Sequence, residues 1–162
     1  MASRTPASDD SRRAAAAVRV SFACGRRGCP PDRLLRRWVL AALGGRSSGM
    51  ELAVHIVGPR ESAALNRRWR GRDRPTNVLA FQHAVVPELP RRPLGDIVIC
   101  GAVVRREAGE QGKPPYAHWA HMVVHGTLHL LGYDHERRAD ARIMEARERR
   151  VLRRLAFPDP YA

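Results

Sequence analysis

Residues 125–135 have the sequence HGTLHLLGYDH, which holds three of the chain's seven histidines. His125 and His129 are four residues apart, and on a helix this spacing places two side chains one turn apart on the same face, about 6 Å along the axis. Gly132 can adopt the left-handed conformation that ends a helix, so the chain can turn there and return His135 to the other two imidazoles. The stretch therefore predicts a metal site at the end of a helix.

The identity of the residue after His125 decides which metal chemistry is favoured. Three nitrogen ligands leave the fourth position of a tetrahedral ion open to water, as in a catalytic zinc site. Zinc proteases have a glutamate after the first histidine as general base, whereas this chain has Gly126. A metal-activated water still supplies a nucleophile near neutral pH, and arginine suits an anionic phosphodiester. Phosphoryl transfer is therefore favoured over peptide hydrolysis.

Strand and helix patterns alternate along the rest of the chain. Alternating apolar residues or short apolar runs predict four strands, over 18–24, 52–56, 78–81 and 97–100, with a loop at Pro87, Pro90 and Pro93 before the last one. Helical spacing and Gly or Pro boundaries predict five helices, over 32–43, 61–69, 102–111, 116–131 and from 137 onward. This order predicts one α/β or α+β domain.

Composition excludes several classes of protein. The chain has 162 residues, and 44% of them are hydrophobic, too many for a chain that is disordered throughout. No apolar run approaches the ~20 residues of a membrane-spanning helix, so we expect no membrane association. No fixed period is present, which excludes collagen, coiled coil and solenoid.

The charge balance points to an anionic partner. With 29 basic and 16 acidic residues the net charge is +13, which favours nucleic acid. All the basic residues except Lys113 are arginine, however, and a GC-rich genome would produce the same bias. The net charge by itself is therefore only weak support for nucleic-acid binding.

The cysteines and the N-terminal segment predict location and domain limits. The three cysteines are few and odd in number, which is typical of a reducing compartment, and the short alanine run at 14–17 is no signal peptide. We expect a cytoplasmic protein with a mobile tail at 1–17, followed by one domain.

Other side chains are candidates for the reaction. Six arginines fall between Arg60 and Arg74, so this stretch is either a phosphate-binding surface or an ordinary solvated one. The RNA-binding candidates are Arg67, Arg68, Arg70, Arg72 and Arg74. His118 and His121 precede His125 on the same helical face, either as proton-shuttling groups or as buried, hydrogen-bonded histidines. Asp134 either accepts a proton or stabilises the turn.

The final helix has an apolar stripe and a highly charged remainder. Met144, Val151, Leu152 and Leu155 fall on one face. Eight arginines and three acids lie between Arg137 and Arg154, which favours a solvated face with i, i+4 pairs; contact with RNA or the ribosome is the second interpretation.

The eleven-residue histidine stretch resembles the signature of the bacterial YbeY family, the endoribonucleases and rRNA maturation factors. Further agreement covers much of 18–161, in the stretches LN at 65–66, WRGRD at 69–73, PTNVLAF at 75–81, LGDIVI at 94–99, HWAH at 118–121 and DPY at 159–161. Ala80 and Gln82 depart from the commoner Ser and Pro of that family. Neither departure affects a candidate metal ligand.

The resemblance implies a single α+β metal-dependent hydrolase domain over 18–161, in which helices cover a small mixed sheet. It implies one zinc ion on His125, His129 and His135, and it places the family's functional arginine on Arg70. It also implies single-strand-specific endoribonuclease activity in 16S rRNA 3′-end maturation and ribosome quality control, with the small subunit and its associated proteins as partners.

We therefore predict a metal-dependent hydrolase that acts on RNA, with Arg70 stabilising the transition state and Asp134 and His118 as further catalytic candidates. The alternative is a ribosome-associated RNA-binding factor whose metal site is not catalytic. A metallopeptidase is the third hypothesis.

Overall fold

The computed structural model describes residues 15–162. Four strands form the sheet: β1 (Ala17–Phe22), β2 (Met50–Val57), β3 (Val78–Gln82) and β4 (Arg92–Cys100). Five α-helices accompany them: α1 (Asp32–Leu43), α2 (Pro59–Arg70), α3 (Gly101–Glu110), α4 (Pro115–Leu130) and α5 (Arg138–Arg154). The predicted helices and strands are all present, and their ends differ by a few residues.

The sheet is mixed, with the strand order β1-β2-β4-β3. β1, β2 and β4 are parallel, and Val20, Val54 and Ile97 lie side by side across them. β3 is antiparallel to β4 and forms one edge, where Ala80 pairs with Ile97. The fold is therefore α+β with a four-stranded mixed sheet, as the sequence predicted.

The two faces of the sheet are covered unequally. The main core lies on one face, where α1, α4 and α5 surround the buried rings of Trp38 and Trp119. A smaller apolar cluster lies on the other face, where Leu65 of α2 packs on Val57 and Val98. The burial of apolar area on the first face is the main source of stability.

Helix α4 runs through the centre of the molecule. Twelve of its 16 residues are buried, and it contacts α1, α3, α5, β3 and β4. Its first helical residue is Pro115, which needs no intrahelical hydrogen-bond donor at that position. Because α4 is held on all sides, the side chains at its C-terminal end have a rigid support.

Helix α4 approaches the sheet most closely at Gly126. A Cβ atom at this position would lie 2.8 Å from Ile97 Cγ2 and 3.3 Å from Val78 Cγ2, closer than packed side chains normally come. Only glycine therefore allows this separation between helix and sheet. The glutamate that a protease has here would not fit without moving the helix.

One boundary prediction was wrong. The loop predicted at Pro87–Pro93 is shorter, because β4 begins at Arg92 and Pro93 lies inside the strand. Pro93 pairs with Glu51 where the register between β2 and β4 shifts. Proline, which cannot donate a ladder hydrogen bond, is tolerated at such an irregularity.

The predicted tail at 1–17 lies largely outside the described residues. Residues 1–14 are not described, and Ala17, placed at its end, is the first residue of β1. Within 15–162, no helix has both the length and the apolar character needed to cross a membrane.

Candidate metal centre

The first two histidines lie one turn apart at the C-terminal end of α4. The Nε2 atoms of His125 and His129 are 3.1 Å apart, so the two imidazoles point at a common position. The spacing of four residues on a helix produces this arrangement, as the sequence predicted. The buried residues around α4 fix the direction of both side chains.

Gly132 returns the third histidine to the first two. It has φ +93°, and the N–H groups of Gly132 and Tyr133 donate to the carbonyls of His129 and Leu128, at 3.0 and 3.1 Å. This pair of hydrogen bonds is a Schellman motif, which ends the helix and reverses the chain. The ring of His135 then lies with its centroid 4.8 Å from that of His129 and 5.5 Å from that of His125.

The three imidazoles fit a divalent metal ion. One nitrogen from each lies within 4.8 Å of the others. Two nitrogens bound to tetrahedral zinc at 2.0–2.1 Å are about 3.3 Å apart, close to the 3.1 Å between His125 and His129. Burial, followed by the neighbouring imidazoles, lowers the pKa of His129 to about 4, so this ring is neutral at pH 7 and presents a lone pair. The group could therefore hold a metal ion.

A second cluster, formed by His121, His125 and Glu148, lies next to the three-histidine group. It includes Glu148, which the sequence analysis did not single out. Glu148 of α5 is fully buried, and its Oε1 lies 2.5 Å from Nδ1 of His125. The sequence pattern of the final helix predicts an apolar stripe and a charged face that is solvated or contacts RNA, and neither interpretation includes a role for Glu148. Glu148 lies four residues after Met144 and four before Leu152, so it is a charged residue on the apolar stripe. That pattern was the available signal.

The metal site opens into a cleft of about 700 Å³. The three histidines line it together with Arg70, the last residue of α2, and Arg72, two residues further along the chain. Burial, followed by the charge of Arg72, lowers the pKa of Arg70, which remains cationic at neutral pH. The structure thus places two guanidinium groups and three imidazoles around one cavity.

The segment that carries the cleft arginines is held by buried polar side chains. Helix α2 is capped by Gly71, which is left-handed with φ +68°. Buried Asn66 donates to the carbonyl of Arg74 at 2.8 Å, and the hydroxyl of Ser62 bonds to both backbone groups of Thr76 at 3.0 Å. These contacts fix the loop relative to the helix.

The remaining candidate arginines lie outside the lining of the cleft. Arg67, Arg68 and Arg74 are exposed, and the guanidinium of Arg68 lies over the ring of Trp69 at 5.3 Å from its centroid. Of the five RNA-binding candidates, the structure brings Arg70 and Arg72 to the metal site.

Asp134 lines the cleft and supports the turn beside it. Its Oδ1 accepts the backbone N–H groups of His135 and Glu136, at 2.6 and 3.2 Å. The bond from His135 is the main cause that lowers the pKa of this exposed carboxyl. A carboxylate of lowered pKa is a weak proton acceptor, so the geometry favours the turn-stabilising alternative.

His118 and His121 are buried residues of α4 that lie behind the cleft and are not part of its lining. His118 Nε2 lies 2.7 Å from Glu107, and burial, the largest effect, lowers the pKa of His118. His121 Nε2 lies 3.4 Å from Glu148. These contacts favour the interpretation of both residues as buried, hydrogen-bonded histidines.

The fold and the site together define an α+β protein whose central helix ends in an open, three-histidine site that could hold a metal ion. The family model described as Endoribonuclease YbeY matches residues 32–156. The chain belongs to the endoribonuclease YbeY family. The match includes every residue of the three-histidine group and both cleft arginines.

Curated relatives from several bacteria are similar over most of the chain. The Endoribonuclease YbeY of Alkalilimnicola ehrlichii is 55% identical over 140 residues, which are 84% of each chain. That of Halorhodospira halophila is 54% identical over 82% of this chain and 88% of its own. That of Stenotrophomonas maltophilia is 50% identical over 90% of this chain and 92% of its own.

A solved structure shares the fold. The solution structure of a Thermotoga maritima protein superposes with a TM-score of 0.55 at 24% identity, over 88% of this chain and 97% of that one. At this level of identity the likeness concerns the fold alone.

Proposed function

We propose that this chain is a metal-dependent endoribonuclease that hydrolyses single-stranded RNA in the cleft beside the three histidines. The observation that carries the proposal is the placement of Arg70 and Arg72 around the same cavity as His125, His129 and His135. The curated relatives bear the name endoribonuclease, which supports the same reaction class. We assign the activity to one domain over 18–161.

The proposed ligands are His125, His129 and His135, with one zinc ion per chain. Three histidine ligands would leave a four-coordinate ion one further position for water or substrate, and all three histidines line the cleft. When bound, zinc supplies a nucleophile by lowering the pKa of a coordinated water from 15.7 to about 7.

Arg70 is the residue that we propose to bind the scissile phosphate. Its guanidinium is always charged and matches two phosphate oxygens at once, so it binds the anionic substrate and stabilises the greater charge of the transition state. Arg72 adds a second cation to the same lining, whereas Arg67, Arg68 and Arg74 would act on the RNA outside the cleft. We assign Asp134 the role of accepting a hydrogen bond from the backbone N–H of His135. His118 is hydrogen-bonded to Glu107.

The biological setting is part of the proposal. We infer action on 16S rRNA near its 3′ end and in ribosome quality control, with the small subunit and associated proteins as partners. Family membership and the net charge of +13 support an RNA substrate of this kind. The free cysteines Cys24, Cys29 and Cys100 support a cytoplasmic location.

One observation favours a second candidate function. Gly126 leaves this site without the glutamate base of a zinc protease, and its close contact with Ile97 leaves no room for one. A ribosome-associated RNA-binding factor with a non-catalytic metal site needs no base at all. The same observation counts against a metallopeptidase.

The two functions are separated by cleavage assays on highly purified variants. We expect the wild type to cut single-stranded RNA, and His129→Ala to lose both zinc and cleavage. Arg70→Ala should retain zinc and lose about 10² to 10³ in rate, the usual effect of removing a group that stabilises developing charge. Arg106→Ala, which changes an exposed arginine of α3, is the matched control and should behave as wild type.

Equal cleavage by all these variants would reveal a contaminating nuclease and refute the catalytic proposal. Binding of RNA without cleavage by zinc-loaded wild type would instead support the non-catalytic factor. Failure of the purified wild type to take up zinc would refute the ligand set.

A further inference from the structure

A buried carboxylate lies directly behind the metal site. Glu148 is fully buried, and a buried charge is strongly unfavourable unless it is paired and hydrogen-bonded. Here both oxygens are used. Oε1 contacts Nδ1 of His125, while Oε2 accepts the hydroxyl of Tyr161 and lies 3.4 Å from Nε2 of His121.

The contact with His125 is a hydrogen bond and leaves no room for a second metal ion. Zinc bound to one nitrogen and one oxygen at about 2.0 to 2.2 Å separates those two atoms by more than 3 Å. Nδ1 and Oε1 are 2.5 Å apart. The cluster of His121, His125 and Glu148 therefore supports the three-histidine group and is not a separate site.

The hydrogen bond also determines which nitrogen of His125 carries the proton. Carboxylate oxygens accept hydrogen bonds, and Oε2 already accepts the hydroxyl of Tyr161, so the proton of the bond between Oε1 and Nδ1 lies on Nδ1 of His125. Nε2 then has its lone pair free, and this atom is the one 3.1 Å from Nε2 of His129. Carboxylates in this relation to a metal-binding histidine hold the ring in position and make its other nitrogen a stronger donor.

The C-terminal segment holds Glu148 in turn. The hydroxyl of Tyr161 reaches Glu148, and its ring lies edge-on to His121 with the centroids 5.4 Å apart. Asp159 accepts two hydrogen bonds, one from Nε–H of Arg149 at 3.2 Å and one from the backbone N–H of Tyr161 at 2.9 Å. Lys113 donates to the carbonyl of Pro160 at 2.8 Å. The C-terminal residues are thus held against α5, against His121 of α4 and against the loop that precedes α4.

We propose that Glu148 is the positioning residue of the metal ligand His125, and that Tyr161 holds Glu148 in place, so that the C-terminal segment contributes to metal affinity. The chain of contacts runs from Tyr161 through Glu148 to His125, and of these three residues His125 alone lines the cleft. This inference rests on the proposed metal-binding function of His125.

The test is the zinc dissociation constant of purified apo-protein, measured by competition with a chromophoric chelator. Glu148→Ala removes both acceptors, and we expect its affinity to fall by about 10- to 100-fold, the usual effect of losing such a partner. Glu148→Gln keeps an acceptor for His125 but loses the charge, so its loss should be smaller. Tyr161→Phe should also bind zinc more weakly than wild type.

Two control variants match these changes. Glu110→Gln removes an exposed carboxylate on α3, and Tyr116→Phe removes the hydroxyl of a tyrosine that packs on Trp38. Both should bind zinc as wild type does. Circular dichroism and the Tm of each apo-protein show whether a variant is folded, and a merely structural role would change Tm without changing zinc affinity.

Cobalt provides a spectroscopic readout that does not depend on RNA cleavage. Replacement of zinc by Co²⁺ gives visible bands that respond to the ligand geometry, and we expect the spectrum of Glu148→Gln to shift relative to wild type. A wild-type spectrum together with wild-type zinc affinity in this variant would overturn the proposal. Should both glutamate variants fail to fold, unchanged affinity in Tyr161→Phe would overturn it equally.

These outcomes are distinguishable from failure of the proposed function. If wild type binds zinc and does not cleave RNA, the endoribonuclease proposal fails while the role of Glu148 stands or falls on affinity alone. If wild type cleaves RNA and the Glu148 and Tyr161 variants bind zinc normally, only the positioning role is refuted.

Discussion

At the scale of single residues, the chemistry of the site is limited by packing distances. Gly126 follows the first metal-binding candidate, and the sheet lies so close that an added Cβ would be 2.8 Å from Ile97, whose side chain is itself fully buried. The same glycine that permits the packing of α4 on β4 removes the position from which a protease would supply its base. The presence of glycine at position 126 therefore explains both the close packing of α4 on the sheet and the absence of a protease-type base.

Substitution of Gly126 by alanine should destabilise the fold. Overpacking a buried contact costs about 1 to 3 kcal/mol, and the higher helix propensity of alanine offsets up to about 1 kcal/mol of that. We expect a net loss of about 1 to 2 kcal/mol in the free energy of unfolding, measured by urea titration.

Gly109 in α3 provides the matched control for this substitution. A Cβ added there meets no described atom within 4 Å, so Gly109→Ala should leave stability unchanged or raise it slightly. If Gly126→Ala is as stable as wild type, α4 can move away from the sheet and the close contact does not require glycine.

At the scale of elements, the end of α4 determines where the three imidazoles meet. The helix supplies His125 and His129, and the Schellman motif at Gly132 returns the chain so that His135 approaches them. The C-terminal end of α2 supplies Arg70 to the lining of the same cleft. The site is therefore assembled from two helix ends rather than from a single motif.

Substitution of Gly132 by alanine should weaken both the fold and the metal site. With φ +93° an L-residue is strained by about 1 to 2 kcal/mol, and relief of that strain would move the turn that positions His135. We expect the free energy of unfolding to fall by that amount and the zinc dissociation constant to rise. Thermal denaturation and chelator competition measure the two effects.

The control for this change is Gly45→Ala in the 3₁₀ turn after α1, where an added Cβ meets no described atom within 4 Å. It should leave zinc binding unchanged. Wild-type zinc affinity in Gly132→Ala would show that the backbone at the turn does not determine the position of His135.

At the scale of the whole molecule, the net charge of +13 acts on RNA mainly through its distribution. Arginine is spread over the chain, and several of its side chains have local structural partners, as Arg149 has Asp159 and Arg106 has Glu110. Arg70 and Arg72 differ because both line the cleft that holds the histidines. The overall charge attracts a polyanion, and these two residues bring it to the site.

Salt dependence measures how many phosphates the protein contacts. We expect RNA affinity to fall steeply with salt, with a log–log slope of about −0.7 for each phosphate neutralised on a single strand. Arg72→Gln should make the slope less steep by about 0.7, whereas Arg106→Gln on α3 should not change it. Fluorescence anisotropy over a range of salt concentrations gives the slope, and a flat curve for wild type would contradict phosphate-dominated binding.

Sequence spacing by itself determined the elements and the three-histidine group, because helix periodicity, strand alternation and a turn glycine act within a few residues of one another. The sequence also contained an indication that Glu148 has a special role, because this residue is a carboxylate on the apolar stripe of the final helix. Only the tertiary structure decided that Glu148 meets His125 and Tyr161, that two of the five candidate arginines reach the cleft, and that Pro93 lies inside β4. These outcomes depend on contacts between segments distant in sequence, and such contacts are set by the packing of helices on the sheet.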